Sequence, residues 1–244
     1  MALTATNRGS GGNATAATSL SITPASNFTA GSFGILAVAY DNAGSQGADP
    51  YVTISDTPVN AWVSRVNSLN DPGAASAGST LRIFTAPISS LTTANTITVS
   101  FGATSVTAKA WTLIEVTSNA TNGSVVYGTG AQATGSGTTQ TITTSSIAIN
   151  DLVFGALGQE GNGTRTGDAD TLNGSWSTAQ SAGFGTTTGG HEIISQYKIV
   201  TAAGAQTYNP TATPLGDWAI AWVSVSEVIS DSFDPFGQFG FFGI

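Results

Sequence analysis

With 244 residues and no cysteine, the chain excludes disulfide and Cys-metal frameworks, and its length suits one large or two small domains. Only 8% of residues are charged, six basic against fourteen acidic, so no basic patch of the kind nucleic acid requires is expected; the formal charge of -8 is dilute and serves solubility. A hydrophobic content of 40% with five Trp supplies enough apolar matter for real cores and argues against disorder.

Met1 leads through Ala2, Leu3 and Thr4 into a Gly/Ser/Asn stretch with neither a basic nor an apolar segment, so no secretory signal is expected. The first strong strand pattern is residues 33–38 (Phe-Gly-Ile-Leu-Ala-Val), preceded by a shorter leading strand at 19–23. The longest apolar run, residues 35–40, is far short of the roughly 20 that a membrane helix needs, and no membrane partner is expected. Asp56-Thr57 then precedes Trp62, and strands follow at 81–84, 96–101 (Thr-Ile-Thr-Val-Ser-Phe) and 109–116 (Lys-Ala-Trp-Thr-Leu-Ile-Glu-Val). The polar residues 117–136 read as a linker, with a short strand at Val125-Val126-Tyr127 as the alternative.

Beyond it the markers return. A leading strand at 140–144 precedes residues 151–156 (Asp-Leu-Val-Phe-Gly-Ala), then Asp170-Thr171 and Trp176, then strands at 193–200 and 221–228. Asp56 and Asp170 each stand six residues before their Trp, 114 residues apart. Markers in the same order predict a tandem duplication of a unit of roughly 110 residues. Within each unit the period is two, which puts one strand face on a core and the other in water, and Gly, Asn, Asp and Pro punctuate the strands. The predicted fold is all-β: two tandem antiparallel sandwiches of jelly-roll or Ig-like topology, residues 1–122 and 123–230. A single larger sandwich sharing strands between halves is the alternative.

The end of the chain breaks the pattern. Five of the eleven Phe lie in residues 233–244: Phe233, Phe236, Phe239, Phe241 and Phe242, with Gly237, Gly240 and Gly243 between them and Ile244 last. A period of three suits an extended course with an aromatic ridge rather than a strand or helix. Burying these rings roughly offsets the entropy of ordering a Gly-rich segment. Residues 231–244 are therefore expected to be an arm held by another surface, either its own domain or another chain.

Chemistry-bearing residues are sparse. Trp62, Trp111, Trp176 and Trp222 are expected in the cores, where a buried Trp locks a sandwich, rather than as sugar platforms. Trp218, outside the repeat, is the freest to be exposed. Asp168-Ala169-Asp170 resembles the start of a calcium loop but lacks the further carboxylates, so a self-bonded turn is expected and no metal. His191 beside Glu192 is the only imidazole, and no Gly-x-Ser-x-Gly elbow accompanies it. Of the four Glu, Glu115 and Glu227 occupy matching places in the last strand of each unit and read as structural. With so few titratable groups and no phosphate or dinucleotide motif, neither an enzyme nor a cofactor is expected.

Residues 37–44 (Ala-Val-Ala-Tyr-Asp-Asn-Ala-Gly), Asp49-Pro50-Tyr51, Trp62, residues 70–75 (Asn-Asp-Pro-Gly-Ala-Ala) and 109–116 resemble a β-sandwich family of tailed-bacteriophage virion accessory proteins, over roughly residues 15–230. The resemblance implies capsid decoration or cement proteins, head fibres and related appendages, and no catalytic residues. A Thr/Ser/Gly/Asn-rich, exposed composition without an export signal agrees with a virion protein made in the host cytoplasm and released by lysis; an unconventionally secreted protein is the other fit. The expected function is a capsid decoration protein bound through its arm to the major capsid protein or another virion protein. A homo-oligomer is expected, with a trimer the first arrangement to test. The alternative is a receptor- or glycan-binding fibre or adhesin module.

Overall fold

The structure, a computed structural model, describes residues 3–41, 52–71, 78–187, 189–213 and 216–229. Seventeen strands and no helix occur among them. The first half holds β1 (Thr4–Asn13), β2 (Ser19–Ile22), β3 (Ser32–Asp41), β4 (Thr53–Asp56), β5 (Val63–Asn70), β6 (Ser79–Ile88), β7 (Ile97–Ser100) and β8 (Lys109–Thr117). The second holds β9 (Gly123–Ser136), β10 (Ile142–Thr143), β11 (Leu152–Glu160), β12 (Thr164–Thr166), β13 (Gln180–Phe184), β14 (His191–Ile199), β15 (Thr207–Tyr208), β16 (Thr211–Thr213) and β17 (Asp217–Ile229).

Every named pairing is antiparallel. One five-stranded sheet runs β1-β8-β3-β6-β5, the other β9-β17-β11-β14-β13, and each draws its strands from one half only. A small sheet, β2-β7-β4, covers the outer face of the first; the pairs β10-β15 and β12-β16 cover the second. The inner faces of the large sheets pack on each other along a central seam. Contacts across it are reciprocal: β5 lies over β9 and β17 while β13 lies over β1 and β8, and β6 meets β17 while β14 meets β8.

Three cores result. Leu36, Val38, Phe84, Trp111 and Leu113 fill the outer core of the first half. Val153, Ile194, Tyr208, Ile220 and Trp222 fill that of the second. Ile35, Ala37, Ile83, Ile114, Phe154, Ile193 and Val223 meet in the seam. The strands β3, β6, β8, β11, β14 and β17 are thus buried on both faces, which corrects the expectation of one wet face. Polar residues on these strands are buried too, most of them on the outer faces; across the seam Ser195 donates from its hydroxyl to Thr112 Oγ1 at 2.8 Å. Small residues let the sheets approach: a Cβ on Gly158 would lie 2.7 Å from the Ala39 Cβ.

Residues 123–136, read as linker, form the longest strand, β9, on the edge of its sheet. No alternation marks it because its glycines serve neighbouring rings: a Cβ at Gly135 would strike the Trp218 indole. The Gly-rich β1, without a strand signal in the sequence, is placed the same way, since Cβ atoms at Gly9 and Gly11 would come within 3.1 Å of the Trp111 ring. Residues 233–244, including all five arm Phe and Ile244, lie outside the described residues.

Candidate functional site

Both large sheets run from one end of the molecule to the other in the same sense, because Gly158 meets Ala39 and His191 meets Ser79. At the end where β3 and β11 finish, ionisable groups converge on the seam. Asp41 pairs in register with Ser79, and Glu160 with His191. The Ser79 Oγ–His191 Nε2 distance is 3.0 Å. Glu160 accepts from the Gly78 amide at 3.3 Å.

Electrostatics here follow from burial. His191 is fully enclosed, which pushes its imidazole down to about 3, and its Nδ1 has no hydrogen-bond partner among the described residues. Asp41 is pushed up to about 6 by burial and then by the charge of Glu160. Burial, with the charge of Asp217 behind it, also raises Glu160. A Ser–His nucleophile needs a carboxylate on the other ring nitrogen and a reachable hydroxyl. Here Nδ1 is bare and both Ser79 and His191 have no solvent exposure, so as arranged the pair fastens the seam.

Glu192, next to His191 but on the outer face, belongs to a separate network. Arg165 donates to its Oε2 at 3.0 Å, the Gly163 amide at 2.9 Å, and Gln159 reaches its Oε1 at 3.5 Å. Burial still holds Glu192 above the usual carboxylate range. In the first half Arg8 donates to Glu115, a buried ion pair completed by the Thr29 amide. Burial pushes Glu115 up, but these hydrogen bonds and the Arg8 charge outweigh it and leave the carboxyl below its ordinary value. Glu227 stays half-buried and accepts from Ser118. Lys109 is wholly enclosed and donates to the carbonyls of Thr15, Val106 and Thr107, burial lowering its amine.

The Asp-to-Trp elements do different work in the two halves. Asp56 accepts from the Asn60 amide at 2.7 Å and from Trp62 Nε1 at 2.9 Å, tying a local turn. Asp170 takes Lys198 at 3.2 Å, Lys198 lies 4.9 Å from the Trp176 ring centre, and Trp176 gives its N–H to the Thr207 carbonyl. Asp168 accepts from the Asp170 amide at 2.7 Å, a self-bonded turn. Among the described residues no group of three or more His, Asp or Glu is arranged to hold a metal ion. Trp111, Trp176 and Trp222 are in the cores, whereas Trp62 is only half-buried against the first. Trp218 is 6% exposed, contrary to its expected freedom, because β9 closes over it.

Two shallow polar clefts are found among the described residues. One, of about 350 Å³, is lined by Thr138, Thr139, Gln140, Asn209 and Thr211 among others. The other, of about 230 Å³, lies between Thr29, Gly31, Ser32, Thr117 and Ser118, at the end opposite the ionisable cluster. No protein-family model, curated protein or solved structure matches the chain.

Proposed function

We propose that the chain is a non-enzymatic structural protein of a tailed-phage particle, a capsid decoration or cement protein joined to the major capsid protein or another virion protein by its terminal arm. The observation that carries the reading is the five-Phe, Gly-spaced segment that follows β17 in the sequence, on a body in which Glu115 and Glu192 are held by arginines and His191 meets Ser79 across the seam. The residues that carry the resemblance to virion accessory proteins add to it.

A tandem duplication of a jelly-roll or Ig-like sandwich belongs to the same reading. Three features support it. The large sheets repeat one strand order, the seam contacts are reciprocal as in a two-fold dimer, and left-handed residues recur at Val59 (φ 62°) and Asn173 (φ 57°), 114 positions apart. Two units joined by a continuous apolar seam make a stiff block, which suits reinforcement of a shell. Homo-oligomers on the particle, trimers first, extend the proposal.

The test is removal of residues 233–244. The truncated protein should fold with unchanged circular dichroism and melting temperature but fail to co-sediment with particles assembled without it. Undiminished co-sedimentation would refute attachment by the arm. A second reading, a glycan-binding fibre or adhesin module, draws on the hydroxyl- and amide-lined cleft at Thr139 and Asn209. Saturable binding on a glycan array, lost in Asn209→Ala, would favour it over reinforcement.

A further inference from the structure

The most exposed large apolar side chains among the described residues all sit at one end of the body, opposite the ionisable cluster. In the first half they are Val59, 85% exposed, and Val63 at the start of β5. In the second they are Val126 near the start of β9, Ile149 just before β11, and Leu172, 66% exposed. Leu172 belongs to this end because its carbonyl accepts from Lys198 near the finish of β14, and the Thr201 amide bonds to the next residue, Asn173. Finally, β17 stops here on exposed Val228 and Ile229.

The turn at Val59 gives an independent reason to regard the exposure as meaningful. A β-branched residue at φ 62° is held in the left-handed region, where Asn or Gly would be relaxed. The turn is fixed in place by Asp56 and by Asn60, which bonds Ser89 and Ser90. An apolar side chain in water and a strained backbone are both unfavourable in the isolated chain. Such strain points to a use outside it.

We infer, resting on the attachment reading above, that this end is the face seated against the particle, covered by an apolar protein surface that also receives the arm. Chain geometry forces the two together. Phe233 is four residues past Ile229, so it can be at most about 14 Å away at 3.3–3.6 Å per residue. A surface that holds Phe233 must therefore come within about 14 Å of Ile229, at the end that also carries Val228. The far end, with Asp41, Glu160 and Asp217, is about 30 Å off along ten-residue β3 and would face outward, while at the near end Asp170 is paired with Lys198 and Glu227 accepts from Ser118.

The experiment measures occupancy on particles assembled without this protein, for the full chain with three changes: Val59→Asn, Leu172→Asp, and Asp217→Asn as a far-end control. Val59→Asn relieves the left-handed strain, so it should melt no lower than the parent, and a loss of binding cannot be assigned to unfolding. Expected are at least tenfold weaker occupancy for the Val59 and Leu172 variants, with the arm intact, and parental occupancy for Asp217→Asn. If deletion of residues 233–244 abolishes binding while these variants bind like the parent, the end-face inference is overturned and the attachment reading stands. If the deletion has no effect, the attachment reading falls and takes the shared surface with it. If the variants turn an oligomer of free protein into monomers without changing occupancy, the face belongs to a second copy and the inference is overturned.

Discussion

Glu115 on β8 is sealed in on the outer face and takes the Arg8 guanidinium, whereas Glu227 on β17, expected at the matching place, falls on the opposite alternation beyond the last pairing with β11, stays half-buried and accepts from a serine. The second half places its buried carboxylate elsewhere, on Glu192 with Arg165. Across the seam the same inequality holds: Ser79 and His191 both open their strands and meet, and Asp41 and Glu160 both close theirs. Equal strand order with unequal buried chemistry teaches that the apolar and small residues define the layers. Each polar group enclosed by those layers is then satisfied by whatever partner its half provides.

The largest expected break in the comparison is at the carboxylates. Glu115→Ala strands Arg8 in a buried site and should cost about 3–5 kcal/mol, while Glu227→Ala should cost under about 1 kcal/mol. Equal shifts in the denaturation midpoints would refute the difference. Next comes acid. The folded value of His191, about 3, is below its ordinary 6.5, so the unfolded chain binds a proton that the folded chain refuses between those limits. Stability present above pH 6.5 is lost as the pH falls towards 3, on the order of a few kcal/mol. His191→Gln should flatten that slope in urea titrations across the window.

Asp41 has the opposite sign: its folded value, about 6, is above 3.8, so its stabilising share is present below pH 3.8 and lost as the pH rises through 6. Asp41→Asn should raise the melting temperature at pH 7 and leave it unchanged at pH 3.5; a gain equal at both would show that titration is not the cause. A smaller effect, about 1–3 kcal/mol, is expected from Gly158→Ala, which overfills the seam against Ala39. Ala39→Gly in the same chain should recover part of it, and purely additive losses would mean that the two do not meet. The smallest contrast is between the left-handed turns. Val59→Asn should gain about 1 kcal/mol, whereas Asn173→Gly, already at a position Asn tolerates, should change stability by less than about 0.5 kcal/mol. Calorimetry of the two variants measures both.

Much of the fold was legible in the chain itself. Period-two alternation at residues 81–84, 109–116, 193–200 and 221–228 marks β6, β8, β14 and β17, and the equal Asp-to-Trp spacing marks corresponding turns. The candidate surface was less so. The arm is evident from its Phe and Gly, but the end face gathers Val59, Ile149, Leu172 and Val228 from distant stretches that share no motif.

Local pattern alone established the all-β class and the absence of a disulfide framework, because alternation and cysteine count are local properties. Only the tertiary structure decided that the large sheets lie face to face, that β1 and β9 are strands, and that Trp218 is buried. Local pattern states which side of a strand is apolar, not what will cover its polar side. Thr112 and Ser195 look solvent-facing until another sheet supplies each with the other.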